Sequence, residues 1–331
     1  MAGLDIAARG NDLVMQKPVE LVELPTVSCR ATLLSEGMSD RHVTALVRDG
    51  TLVRIRRGQY VDGEAWRALS RADRYRLLTR GVMLTAHPGT TATHVSAAVE
   101  WGAPVWDLSL EVAHTTRRDG KAGRRRDDWI QHCGVLPAKD VTVRNGIPLS
   151  VPARTCVEIT TITDVERSLV VVNGLLNSGA TTVQEFADWA ENARYWPHSL
   201  ATDLVLRLCD PRIESAGESR FFYLCWRHHL PCPTPQVKVH DERGKLVGRL
   251  DFAWEDFGVF VEFDGKEKYT KYRRDGETLD EFLMREKKRE ELICQLTGWV
   301  CIRVTWADLA APELLASRVR KLLDSQRPLG A

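Results

Sequence analysis

The run Gly248-Arg249-Leu250-Asp251-Phe252-Ala253-Trp254-Glu255-Asp256-Phe257-Gly258-Val259-Phe260-Val261-Glu262-Phe263-Asp264-Gly265 leaves this chain few ways to fold. Two apolar stretches flank the glycine-ended segment Glu255 to Gly258, which is the pattern of a β-hairpin. With that loop, Trp254 faces Val259, and three steps back on each strand Asp251 faces Glu262, both side chains on one face. Like charges directly opposite one another destabilise a ladder, and a carboxylate inside an apolar strand loses solvation unless it is paired or bound to a cation. A solvated surface hairpin would escape that cost, but Val259, Phe260, Val261 and Phe263 make the second strand read as buried. With Asp264 two residues further along the same face, the pattern predicts a divalent-metal site. Hard oxygen ligands suit Mg²⁺ or Mn²⁺ better than zinc.

At 331 residues the chain is long enough for two or three domains with ordinary cores. Its formal net charge of +1 gives no global field favouring nucleic acid, so such binding has to come from local patches. No stretch approaches the roughly eighteen apolar residues of a membrane span, and the polar N-terminus lacks a signal-peptide core. The expectation is a soluble, cytoplasmic protein without a membrane partner. No two of the eight cysteines are spaced C-x-x-C. They read as reduced, mostly buried thiols.

Cys29 to Glu36 reads as a short helix behind a Ser28 cap, broken by Gly37, and Ser39 caps a second helix that Gly50 ends near Asp49. Thr51 to Arg56, a turn at Arg57-Gly58 and Gln59 to Val61 then form a two-stranded wing. Leu33, Leu34, Met38, Val43, Leu46, Val47 and Leu52 supply a small core. Recognition helix and wing carry Arg41, His42, Arg48, Arg54, Arg56 and Arg57, as phosphate contact requires. The runs Leu34-Ser35-Glu36-Gly37-Met38-Ser39 and Val47 to Val61 resemble the AbiEi-type antitoxin winged-helix domain. That resemblance implies binding to promoter DNA.

Between Glu64 and Pro211 the pattern is mixed α/β. Ser70 to Leu84 and His94 to Trp101 read as helices, Leu108 to His114, Trp129 to His132 and Val141 to Arg144 as strands, and further helices follow Pro152, Asp164, Thr182 and His198. Arg117 to Arg126 reads as a loop with six basic residues and one acid, suited either to a phosphate backbone or to solvent. Val151-Pro152-Ala153-Arg154-Thr155 resembles the region that follows the antitoxin winged helix in actinobacterial relatives. The likeness extends to about residue 205.

Around the hairpin lie a helix from about Glu214 to His229, a strand Gln236 to His240, a charged helix Leu279 to Leu296 ended by Gly298, and a strand Trp299 to Thr305. The order is α-β-β-β-α-β. With Glu218-Ser219-Arg220, Arg249 to Trp254, Val261 to Gly265, Arg285-Glu286-Lys287-Lys288-Arg289, Gly298-Trp299-Val300 and Arg303 to Leu309, it resembles PD-(D/E)xK restriction-endonuclease-like cores. Nearer still are the very-short-patch-repair-like endonuclease domains of unknown function. The resemblance implies that Asp251 and Glu262 bind the metal and that Glu218 joins them, with Glu214 able to substitute. It also adds Arg289 or Arg285 to the site. The motif's lysine is replaced by Asp264, and Lys268 stands where relatives tend to have histidine, a better proton shuttle near neutral pH.

The whole therefore reads as an α/β chain: an N-terminal extension (1–27), a winged helix (28–63), a mixed α/β antitoxin-type region (64–211) and a nuclease-like core (212–331). Two functions fit, a metal-dependent endonuclease acting on DNA, and an antitoxin-like DNA-binding regulator whose nuclease fold is only structural. RNA as the substrate is a third. A cognate toxin or antitoxin partner and a homodimer are compatible with either layout.

Overall fold

A computed structural model describes residues 23–121, 123–264 and 276–326. The chain opens with β1 (Ser28–Cys29), α1 (Arg30–Ser35), α2 (Asp40–Arg48), β2 (Leu52–Arg56) and β3 (Gln59–Asp62). Gly37 and Gly50 end the two helices at φ of 92° and 82°, where glycine has no steric penalty. Ser39 caps α2 by accepting from the His42 N–H. Ser28 does not cap α1; it pairs with Tyr60 at the edge of a three-stranded sheet, in strand order β1-β3-β2. Leu33, Val43 and Tyr60 form the small core, packed by Met38, Val47 and Leu52. Leu34 and Leu46 are only half-buried.

The middle region contains α3 (Gly63–Ala68), α4 (Arg71–Thr85), β4 (Thr90–Ala92), α5 (His94–Glu100), β5 (Ala113–Arg117), β6 (Arg124–Arg126), β7 (Trp129–His132), β8 (Val141–Arg144), β9 (Ile147–Ser150), α6 (Pro152–Thr160), α7 (Val165–Asn177), α8 (Val183–Asn192) and α9 (Leu200–Leu208). Its strands form one mixed sheet, β6-β7-β5-β4-β9-β8. Thr182 and Glu185 make the capping box their spacing predicts. The expected strand at Leu108 to His114 starts later, at Ala113. Strands β4, β6 and β9 escape sequence reading: β4 and β6 are three residues long without alternation, and β9 is four residues with a proline inside, which argues against a strand. The basic loop is likewise partly strand: Arg124 to Arg126 pair antiparallel with Trp129 to Gln131.

The C-terminal part runs α10 (Ala216–Arg227), β10 (Thr234–His240), β11 (Leu246–Trp254), β12 (Val259–Asp264), α11 (Leu279–Thr297), β13 (Val300–Thr305), α12 (Trp306–Leu309) and α13 (Pro312–Gln326). This is the expected α-β-β-β-α-β order, on a sheet β10-β11-β12-β13 that is antiparallel except between β12 and β13. One face packs on α10 and α13 through Phe221, Phe252, Val261 and Val319. The other packs on α11 through Phe260 and Ile293. With both faces covered, β12 is the continuous apolar run the sequence shows, and burying each of its large side chains contributes about 1.5–3 kcal/mol.

Arginines tie the parts together. Arg56 donates from Nε to Asp128 (2.8 Å) and from Nη1 to the Gly81 carbonyl (2.8 Å) and Thr85 (2.9 Å). Arg220 donates to Glu166 (2.7 Å) and the Leu309 carbonyl (3.1 Å), with its guanidinium 3.9 Å from the Trp106 ring centroid. All eight cysteines are free; Cys156 and Cys225 are buried, but Cys133 and Cys232 are exposed, against the expectation of mostly buried thiols. No described helix is long and apolar enough to cross a membrane.

Helix α10 approaches β12 closely because residue 217 has no side chain: a Cβ there would lie 2.2 Å from the Phe263 ring. Gly217→Ala should therefore destabilise the protein by about 1–3 kcal/mol through overpacking, despite alanine's better helix propensity. A urea midpoint equal to or above that of the parent protein would show that the ring can move aside.

Candidate functional site

The β11–β12 ladder has the predicted register, with Trp254 opposite Val259 and Phe252 opposite Val261. One step further, Asp251 and Glu262 are both buried, at 8% and 7% exposure. Their charges are answered differently. Asp251 Oδ2 accepts from the Phe263 N–H at 2.7 Å. Glu262 Oε1 lies 3.2 Å from Arg289 Nη2 on α11, and Arg289 also pairs with Glu286 at 3.1 Å. Burial opposes the Arg289 charge, but Glu262, Glu286 and Asp251 outweigh it and raise its pKa. Arg285 instead pairs with Glu277 and Glu286, so of the two arginines it is Arg289 that reaches the strand carboxylates.

Glu218 comes in from the first turn of α10. Its own N–H donates to Ser215 Oγ, its Oε1 accepts from the Ser215 hydroxyl (2.7 Å), and its Oε2 accepts from the Glu214 N–H (3.0 Å) and Gln236 Nε2 (3.0 Å). This is a capping role. Burial first, and then the charge of Asp251, push its carboxyl up to about 7. Glu214, the alternative ligand, is held in an ion pair with Arg249 at 2.8 Å. Asp264 closes β12 beside Thr305 of β13, half-buried. Lys268 lies outside the described residues.

A metal needs several donor oxygens turned to one point. Among the described residues no group of three or more His, Cys, Asp or Glu is gathered so that it could hold a metal ion. As placed, Glu218 accepts hydrogen bonds at both oxygens and Glu262 faces an arginine. Two neighbouring groups keep a donor and an acceptor in hand: the buried Arg289 Nε and Gln236 Oε1 have no hydrogen-bond partner among the described residues.

In the first segment, Arg41, His42 and Arg48 are exposed on α2, and Arg54 and Arg57 are exposed on the β2–β3 hairpin. Arg56 departs from the expected DNA-facing set. Its side chain is 9% exposed and turned inward to Asp128 and α4, where it anchors the hairpin on the middle region.

Sequence reasoning missed a cavity of about 990 Å³ in the middle region, lined among others by His94, His132, Arg154, Glu158, Trp189 and Trp196. The His94 and His132 rings stack at 3.7 Å between centroids, and His114 Nδ1 lies 2.8 Å from His132 Nε2. His94 sits at φ 52°, left-handed and uncommon for a residue with a side chain. Burial lowers all three, His114 to about 3, His132 to about 4 and His94 well below its usual value. Buried Arg154 binds Glu158 (2.7 Å) and Asp140 (3.3 Å), and its guanidinium lies 5.1 Å and 5.0 Å from the Trp189 and Trp196 ring centroids. The histidines come from α5, β5 and β7. The β5–β7 pairing brings His114 and His132 together, α5 packs His94 onto His132, and no local spacing announces it.

Residues 109–204, which include β5 to β9 and α6 to α9 up to its last turn, match the AbiEi antitoxin C-terminal domain. Two proteins from two strains of Mycobacterium tuberculosis, each described as an uncharacterized protein, are 28% identical to this chain over 180 residues. The match covers 54% of this chain and 63% of each relative, so it spans less than two thirds of their length.

Because the folded protein keeps these imidazoles neutral while the unfolded chain protonates them near 6.5, the unfolded state binds more protons between about pH 6.5 and about pH 4. Their contribution is present above that window and is lost as pH falls through it, on the order of 1.4 kcal/mol per pH unit for each imidazole. Glu218, with a raised pKa, works the other way over part of the range, so the histidine effect has to be read as a difference between proteins. Urea midpoints should fall more steeply between pH 7 and pH 5 for the parent protein than for His114→Gln/His132→Gln. Parallel pH profiles would refute it.

Proposed function

We propose that this protein is a DNA-binding, antitoxin-like regulator that acts with a cognate toxin. The observation that carries this reading is the match of residues 109–204 to an AbiEi antitoxin C-terminal domain, in a chain whose described residues begin with two short helices and a β-hairpin that suit a helix-turn-helix and wing. That segment exposes Arg41, His42, Arg48, Arg54 and Arg57. Guanidinium groups on a helix and an adjoining hairpin suit phosphate contact and, from the helix, base edges in a major groove. In this reading the C-terminal core is a packed scaffold, with Glu218 as a helix cap and Glu262 as the partner of Arg289. The protein would act in the cytoplasm, and a homodimer would match a two-fold operator.

A second reading is favoured by one feature, the buried Asp251 and Glu262 beside an Arg289 Nε and a Gln236 Oε1 that lack hydrogen-bond partners among the described residues. It makes the core an endonuclease on DNA that takes up Mg²⁺ or Mn²⁺ only when Glu218 or Arg289 gives way. Asp251, Glu262, Glu218, Asp264 and Lys268 would then form its site.

Binding to duplex DNA should weaken steeply with salt, and Arg41→Ala/Arg48→Ala should lower the salt slope by about 1 for each phosphate that is no longer neutralised. An unchanged slope in a fluorescence-anisotropy titration would remove α2 from the interface. Incubation with plasmid, single-stranded DNA and RNA, in Mg²⁺, Mn²⁺ or EDTA and alongside Asp251→Ala, decides the second reading. Cleavage abolished by EDTA and by the substitution supports it. Cleavage that survives both sinks it.

A further inference from the structure

Strand β6 is the outer strand of the six-stranded sheet, paired only with β7. All three of its residues, Arg124, Arg125 and Arg126, are exposed. Charges on an edge strand commonly serve to block strand addition, yet three consecutive arginines repel one another and would be costly for that purpose alone. The surrounding acids do not relieve them. Asp119 is held by Arg117, and Asp128 is held by Arg56 of the wing. Within the segment 117–128 this leaves one acid, Asp127, against Arg118, Lys121 and the three β6 arginines, and among the described residues no ion pair is formed by Arg124, Arg125 or Arg126. Arg126 lies over the Trp129 ring, at 5.6 Å from its centroid.

The Arg56–Asp128 pair fixes where this edge lies. Asp128 is two residues beyond Arg126, so their Cα atoms are at most about 7 Å apart. Arg57, exposed, follows Arg56 directly. The wing and β6 are therefore neighbours on the molecular surface, locked together by a partly buried ion pair.

We infer that β6 and the wing form one continuous phosphate-binding track for duplex DNA, so that the middle region contacts the backbone next to the groove occupied by the winged segment. This rests on the DNA-binding reading above. Duplex DNA is favoured over an acidic protein because arginine forks match phosphate oxygens and the adjoining helix-turn-helix already sets a duplex beside the wing. The contact carries no sequence information; it adds affinity and fixes orientation.

The test uses the full chain and a labelled duplex of about 40 base pairs, with binding followed against salt. Arg124→Ala/Arg125→Ala leaves the Arg126–Trp129 contact in place and should lower the salt slope by about 2, while Arg124→Lys/Arg125→Lys should restore most of it. Circular dichroism checks that each variant is folded. A slope unchanged in the alanine variant, but reduced in Arg41→Ala/Arg48→Ala, overturns the track and leaves the DNA-binding reading standing. No duplex binding by the parent protein at low salt overturns both. An alanine variant that fails only on single-stranded RNA would assign the patch to RNA and overturn the proposal as well.

Discussion

A carboxylate taken out of water must be paired, hydrogen-bonded or protonated, and in this chain arginine does most of the pairing, across boundaries between elements. Arg56 reaches from the β2–β3 hairpin to Asp128 and α4. Arg220 reaches from α10 to Glu166 on α7, near Trp106 and Trp306. Arg154 joins Asp140 and Glu158 beside two tryptophans. Arg289 brings α11 to Glu262. Each pair is costly to desolvate and more costly to break, since removing one partner strands a charge. Such contacts do more to fix the relative placement of elements than to add stability.

The same chemistry shapes the carboxylate cluster. Asp251 and Glu262 occur side by side in an apolar sheet, and the structure relieves them with a backbone N–H and a guanidinium. Glu218 is close enough for Asp251 to raise its pKa, yet its oxygens serve the start of α10. An α-β-β-β-α-β order of elements thus coexists with acids that hold structural partners. The histidine cavity shows the converse: its imidazoles are kept neutral by burial, and two of the three lie inside the stretch that matches the antitoxin domain.

Local chemistry made much of this legible. Glycines at positive φ punctuate the first segment where the sequence places its breaks, and the Glu255 to Gly258 loop sets the hairpin register. Ser39 and Thr182 cap the helices they precede. The failures share a cause. Ser28 precedes a helix but pairs as a strand, because Tyr60 offers it a ladder partner far along the chain. Arg56 looks like its exposed neighbours but is drawn inward by Asp128, 72 residues away. Strands β4, β6 and β9 are defined by their neighbours in the sheet rather than by any pattern of their own.

The sequence by itself determined the α-β-β-β-α-β order of the C-terminal part, the turns around its hairpin, and the presence of two acids on adjoining strands, since these follow from backbone stereochemistry and from patterns a few residues long. Only the tertiary structure decided which charge answers which. It turned Arg56 inward, gave Glu218 to a helix cap, chose Arg289 over Arg285 for Glu262, and stacked His94 on His132. Pairing energies depend on burial and on partners brought together from distant parts of the chain, and neither exists until the chain has folded.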